Sequence, residues 1–186
     1  MEPVPGERLR LEADLRPLEE VWYPPVRVVA LGYRRDAVRH PLDGFGMLVP
    51  AVETDFRILG TLFSSTLFPN RAPDGHVLLT TFVGGARHPD LASAPEEEAQ
   101  RIVARDLGKL LGIDGAPAFV RHVFWAKAIP QYEVGYGAVK DRIDRVERDH
   151  AGFFMAGNYR QGISVADTLA SADDTAARIL AWRPHA

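Results

Sequence analysis

The chain has no cysteine in its 186 residues, which excludes disulfides, thiolate catalysis and cysteine metal sites. The absence fits a reducing compartment, so the cytoplasm is the expected location. Long apolar runs are missing as well. None approaches the roughly 20 residues needed to cross a bilayer, which leaves peripheral contact through exposed apolar side chains as the only membrane association to consider. Residues 1–20 are charged and rich in proline and glutamate, which argues against a signal peptide. Positive charge is also scarce: 22 Lys and Arg stand against 25 Asp and Glu, for a net charge of -3. With no basic stripe either, nucleic acid is not expected as a partner.

Several catalytic signatures fail on inspection. The six histidines, at 40, 76, 88, 122, 150 and 185, include no pair at metal-ligand spacing, so no metal is expected. Gly162-Ile-Ser-Val-Ala166 has the outline of a nucleophile elbow with alanine for the last glycine. Only one helix's length of chain follows Ser164, however, which leaves no separate strands to carry an acid and a histidine. A serine at a helix start is more simply a cap. Asp167, Asp173 and Asp174, like Glu96, Glu97 and Glu98, fall in early helical turns, where carboxylates complement the dipole. Gly135-Tyr-Gly-Ala-Val-Lys140 begins like a dinucleotide fingerprint but lacks its last glycine and follows an irregular segment. The chain therefore shows no site of its own for an ADP pyrophosphate.

What is present is an ordinary soluble composition, 46% hydrophobic and 25% charged, in a length that can hold one domain with a real core. Residues 1–24 carry several prolines and a short Leu9, Leu11, Leu15, Leu18 pattern, read as a lead-in with a helical turn or two. Strands are expected at Val26 to Tyr33, Phe45 to Val49, Arg57 to Phe63, His76 to Val83 and Ala118 to Ala126. Gly60, inside the third of these, suggests close approach of another group. Ser93-Ala-Pro-Glu96 has the form of a capping box. The apolar face Ala99, Ile102, Val103, Leu107, Leu110 and Leu111 follows, and Gly112 ends the helix. Residues 138 to 148 read as a polar, exposed helix. The class is α+β, a mostly antiparallel sheet with flanking helices, one of its faces buried.

The most informative stretch is Phe153 to Thr168. A short apolar run (Phe153 to Ala156) meets Gly157, and a polar loop closes at Gly162. Apolar residues then recur at Val165, Leu169, Ala172, Ala176, Ile179 and Leu180. This reads as strand, tight turn and helix, with the first amides of the helix suited to an anion or an electron-rich ring.

At Gly44-Phe-Gly-Met-Leu-Val-Pro50, Trp125-Ala-Lys-Ala-Ile-Pro-Gln-Tyr132 and Ala156-Gly-Asn-Tyr-Arg-Gln-Gly-Ile-Ser-Val165 the chain resembles the oxygen-dependent protoporphyrinogen oxidases of the flavin-containing amine oxidase superfamily. Ile58-Leu-Gly60, Leu67-Phe-Pro69 and Phe82-Val-Gly-Gly85 fit between these motifs, and the resemblance covers about residues 20–182. It is a resemblance to the C-terminal portion, without the family's N-terminal dinucleotide-binding half. It implies a lead-in over 1–24, a substrate-binding α+β region over 25–137, and over 138–186 the closing strand-turn-helix of an FAD-binding region.

By position, the resemblance places Asn158, Ile163, Ser164 and Val165 against FAD, largely through backbone amides, with Gly157 and Gly162 letting the backbone come close. Trp125 would line the flavin, where the plain alternative is a core tryptophan. Gly46, Leu48, Leu62 and Phe82 would line a porphyrinogen pocket, where the alternative is ordinary strand core. A basic residue is needed for a propionate, and in the family it comes from the N-terminal half. The implied reaction is hydride removal from a meso carbon to flavin N5, repeated to give protoporphyrin IX in haem biosynthesis, with reoxidation by O₂. No acid or base of this chain is required. The expected partner is the missing FAD-binding half, and a face built to meet it would favour homodimerisation. Alternatives are a coproporphyrinogen III oxidase, another flavin amine oxidase relative such as a carotenoid desaturase, or an autonomous, non-catalytic domain that binds a porphyrin or another flat ligand.

Overall fold

The computed structural model describes residues 15–182, so Leu9, Leu11 and most of the lead-in lie outside the described residues. The chain forms two compact units. One is a sheet unit, Tyr23–Ala128; the other is a helical unit made of residues 15–22 together with residues 129–182.

The sheet unit is a five-stranded antiparallel sheet in the order β2-β3-β4-β1-β5: β1 Val26–Arg34, β2 Gly46–Leu48, β3 Ile58–Leu62, β4 His76–Gly84 and β5 Phe119–Trp125. All five expected strands form. Short helices α2 (Ser64–Leu67) and α3 (Pro89–Ser93) follow β3 and β4, and α4 is Glu96–Leu111. Burial alternates along most of β1 and β4, as a sheet with one covered face requires. Val29, Leu31 and Tyr33 of β1, with Val77, Leu79 and Val83 of β4, pack against Val103, Leu107 and Leu111 of α4. Each such leucine removed from water contributes roughly 1.5–3 kcal/mol. Burial pushes the Tyr33 phenol up to about 12. Gly112 ends α4 in the left-handed conformation, φ 61°, as its glycine leads one to expect.

The start of α4 differs from expectation. Ser93 closes α3, and Pro95 is the N-cap with no side-chain cap bond. The group that organises this junction is the buried Arg27 of β1. Its Nε donates to Ala92 O at 3.0 Å and its Nη2 to Ala94 O at 2.8 Å, and its guanidinium lies 5.6 Å from the Phe124 ring of β5. Ser93 lies in the last turn of α3, two residues before the N-cap Pro95, so its hydroxyl is not at the position that caps α4. Gly60 does meet a close neighbour, since a Cβ there would lie 2.5 Å from Met47 O on β2. A bulge between Ile58 and Gly60 restores the alternation at that point.

Asp106 of α4 is fully buried and fastens β3 to the helix. Its Oδ2 accepts from the amides of Arg57 (2.7 Å) and Ile58 (3.2 Å), and its Oδ1 from the Arg105 guanidinium (2.6 Å). Asp106→Ala strips two backbone donors of their acceptor and should lower stability by about 2–3 kcal/mol, read from urea midpoints. An unchanged midpoint would show that those amides find other acceptors.

His122 of β5 has both ring nitrogens shut from solvent and unpartnered, and burial lowers its pKa from the usual 6.5. The folded state holds this imidazole neutral while the unfolded chain binds a proton below about 6.5. Its contribution to stability is therefore complete above that pH and is lost as the pH falls through the folded value. Urea midpoints at pH 7.5 and 5 should separate less in His122→Phe than in the parent. Equal separations would assign the pH dependence to other groups, such as His88, which shifts the same way through burial and Arg57.

In the helical unit, α1 (Arg16–Glu19) packs on α5 (Gly137–Asp149), and α6 is Val165–Ala181. The expected polar, exposed helix is α5, yet it buries Ile143 and Val146. Residues 153–156 are not a strand. Their backbone is held otherwise: Phe153 N donates to His150 O and Met155 N to the Glu147 carboxylate. No described helix is long and apolar enough to cross a membrane.

Candidate functional site

Direct pairs across an antiparallel sheet point to the same face, and the register places all four expected substrate residues together. One row across the strands runs Gly46, Leu62, Thr80, Ala30, Arg121, and the next Leu48, Gly60, Phe82, Val28, Val123. Trp125, opposite Val26, stands at one end of the same face. Helices α3 and α4 serve the opposite, buried face. The open face is accordingly wet: Leu48 is 87% exposed, Trp125 55%, and Leu62 and Phe82 are half-buried. Neither Trp125 nor these strand residues belong to the core. At Gly46 (φ 151°) a Cβ would lie 2.2 Å from Thr61 O, so the edge pairing of β2 requires glycine there.

The loop from Gly157 to Ser164 belongs to the helical unit, so Trp125 and the loop residues lie on different units. Tyr132 and Tyr136 hold the loop from below. Their rings stack at 4.3 Å, the Tyr132 hydroxyl donates to Asn158 O (2.5 Å), and the Tyr136 hydroxyl donates to Tyr159 O (2.6 Å). Burial raises both the Tyr132 and the Tyr159 phenols, which keeps the Tyr132 hydroxyl a neutral donor. The two glycines serve the loop's own packing: a Cβ at Gly157 would meet the Tyr159 ring at 2.5 Å, and one at Gly162 the Asp167 carboxyl at 2.6 Å.

Ser164 is the N-cap of α6 and forms a full capping box. Its Oγ accepts from Asp167 N (3.0 Å), and the Asp167 carboxylate accepts from Ser164 N (3.3 Å). This is the capping box of the chain; the one expected at Ser93 is absent. Ser164 is thus a cap, as its place suggests, and its hydroxyl donates to Asp167 (2.7 Å) rather than to a histidine. The Val165 and Ala166 amides find no acceptor among the described residues, as the first amides of a helix do. Asp167 offsets part of the positive helix end. Ile163 and Val165 are exposed beside those amides.

Sequence reasoning missed Glu147, which fixes this loop without belonging to it. Its carboxylate accepts from Met155 N (2.7 Å), from Arg160 Nη2 (3.2 Å) and from Arg178 of α6. Arg160 also reaches Asp144 (2.9 Å), and the Arg178 guanidinium lies 5.2 Å from the Phe154 ring. A charged residue on a helix that reads as polar gives no signal of this in sequence. Among the described residues no group of His, Asp and Glu could hold a metal.

The sheet unit exposes apolar and aromatic side chains on its open face, and the helical unit leaves helix-start amides free. Residues 1–180 match the family described as flavin containing amine oxidoreductase, and the chain belongs to that family. Protoporphyrinogen oxidase, mitochondrial, of Nicotiana tabacum is 45% identical over 167 residues, 89% of this chain and 33% of that protein. Protoporphyrinogen oxidase 2, chloroplastic/mitochondrial, of Arabidopsis thaliana is 42% identical over the same shares. A crystal structure from Exiguobacterium sp. 255-15, provisionally named a protoporphyrinogen oxidase, superposes with a TM-score of 0.74 at 26% identity, covering 91% of this chain and 37% of that one. The chain spans about a third of the length of the curated relatives it matches.

Glu147→Ala would leave Arg160 with a single carboxylate partner and the Met155 amide with none. Loss of a buried ion-pair hub costs about 3–5 kcal/mol. The expected outcome is early unfolding of the helical unit, seen as faster amide exchange over residues 153–181 while β1 and β4 keep their protection. Uniform exchange across both units would contradict a local role.

Proposed function

Starting from its membership of the flavin containing amine oxidoreductase family, we propose that this chain supplies the substrate face and the flavin-facing helix start of an FAD-dependent porphyrinogen oxidase, with protoporphyrinogen IX as substrate. The observation that carries this reading is the open sheet face, where Gly46, Leu48, Leu62 and Phe82 line up with Trp125. A porphyrinogen is a broad apolar plate with ionised propionates on one side, and a wide, exposed apolar surface with a tryptophan at its end suits such a plate. In this reading Trp125 lies against the flavin ring. Asn158, Ile163, Ser164 and Val165 present backbone to its electron-rich edge.

Bound FAD supplies the two-electron oxidation and the reaction with O₂. The residues of this chain bind and orient the plate and keep water from it; none is needed as acid or base. The proposal assigns the remaining cofactor surface to polypeptide outside these residues, joined or separate, as the threefold greater length of the relatives suggests. The exposed apolar side of α6 (Val165, Leu169, Ile179, Leu180) is the surface to meet it.

The test follows porphyrin fluorescence as protoporphyrinogen IX is oxidised in air with added FAD. The chain alone should retain little flavin and give only the uncatalysed rate. Paired with the nucleotide-binding portion of a relative, it should accelerate oxidation, and Trp125→Ala should reduce that rate at least tenfold. A folded, associated pair with no acceleration would sink the proposal. Near-stoichiometric flavin on the chain alone would sink its assignment of the remaining cofactor surface. Coproporphyrinogen III, run in parallel, should be the poorer substrate.

A further inference from the structure

We propose that Arg121 is the carboxylate anchor of the open sheet face, its guanidinium taking a propionate of the tetrapyrrole. The inference rests on the reading of that face given above and adds a residue of this chain that fixes how the ring lies. On the strands of the face only two residues carry a full charge, Arg34 and Arg121. Arg34 is already held by Asp36 through two hydrogen bonds, at 2.9 and 2.5 Å. Arg121 is exposed, and no hydrogen bond or ion pair reaches it among the described residues.

Its position matters as much as its freedom. It stands opposite Ala30, whose methyl leaves space above the sheet, and shares its row with Leu62 and Gly46. Its neighbours along β5 on that face are Phe119 and Val123. Strand spacings of roughly 4.8 Å and a rise of about 3.4 Å per residue put Arg121 about 12 Å from Phe82 and about 14 Å from Trp125. A macrocycle laid over Phe82 and Val28 would therefore extend its propionate edge toward Arg121 while another edge lies toward Trp125. Apolar surroundings strengthen a charge-assisted pair, and the planar fork of arginine matches a carboxylate with two parallel bonds. One free guanidinium at the rim of an apolar plate site thus sets orientation as well as affinity.

The test uses the full 186-residue chain, with protoporphyrin IX and its dimethyl ester as probes, bound to the parent and to Arg121→Gln and Arg121→Lys. Tryptophan quenching gives the affinities, and circular dichroism checks the fold of each variant. The parent should bind the diacid about tenfold more tightly than the ester, a preference that weakens with salt. Arg121→Gln should lose this preference with its ester affinity unchanged, and Arg121→Lys should keep part of it. A diacid preference that survives in Arg121→Gln overturns the assignment, and so does equal binding of diacid and ester by the parent; both leave the substrate face intact. Failure of the parent to bind either ring removes the substrate face itself, and the anchor with it.

Discussion

Glu147, with 7% of its side chain exposed, receives hydrogen bonds from the Met155 amide, from Arg160 in the loop and from Arg178 on α6. These donors come from three separate parts of the helical unit, and one carboxylate on α5 gathers them. The path of the chain between α5 and α6 depends on that convergence, because residues 153–156 pair with no strand and bury little. Once Met155 and Arg160 are fixed, Gly157 and Gly162 must take positive φ values, 150° and 154°, to turn the chain over the Tyr159 ring and the Asp167 carboxyl. The capping box then starts α6 at Ser164, and the Val165 and Ala166 amides emerge at a defined place. The loop is thus built from buried charge inward and from glycine outward.

The sheet unit uses the same device for a different end. Asp106 and Arg27 are buried charges whose bonds run between elements: Asp106 from α4 to the start of β3, and Arg27 from β1 to the ends of α3. Both lie on the helix-covered side. The other face carries mostly aliphatic, aromatic and small residues, with Thr80, the Asp36-paired Arg34 and the unpaired Arg121. Alternation along β1 and β4 makes this division unavoidable, since a slip of one residue would carry Leu79 out and Phe82 in. The two faces differ in purpose because the pleat forces every strand residue onto one or the other.

Much of this was legible in the chain itself. The strands from β1 to β5 follow from runs of Val, Leu and Phe bounded by proline and glycine, and α4 follows from its apolar spacing and Gly112. Period-two patterns survive in sequence because burial on one face imposes them. The companionship of Gly46, Leu48, Leu62, Phe82 and Trp125 on one face was not legible, because it depends on register, including the bulge before Gly60. Equally hidden was the failure of Ser93 to cap α4, since α3 runs through Ser93 and leaves Pro95 at the N-cap. A local signature holds only where the helix starts at the residue it assumes. At Ser164 the partner is three residues away, and there the serine does act as a cap.

Helix α6 shows how far periodicity can be trusted. Its spacing marks Val165, Leu169, Ala172, Ala176, Ile179 and Leu180 as an apolar side, and a helix with such a side normally buries it. Here that side is exposed, Val165 by 79%, while Ser171 and Thr175 face inward, Thr175 returning its hydroxyl to Ser171 O at 2.8 Å. Small polar residues permit a close, weakly stabilising contact on the inner side. Exposed leucine, isoleucine and valine forgo the larger gain that burial would bring, roughly 1.5–3 kcal/mol for each. Periodicity thus marks the apolar side of this helix correctly, but burial falls on the small polar side. The open sheet face carries the same imbalance. On each unit, then, one surface is left more apolar than water favours, which sets these residues apart from the core shared by the sheet and α4.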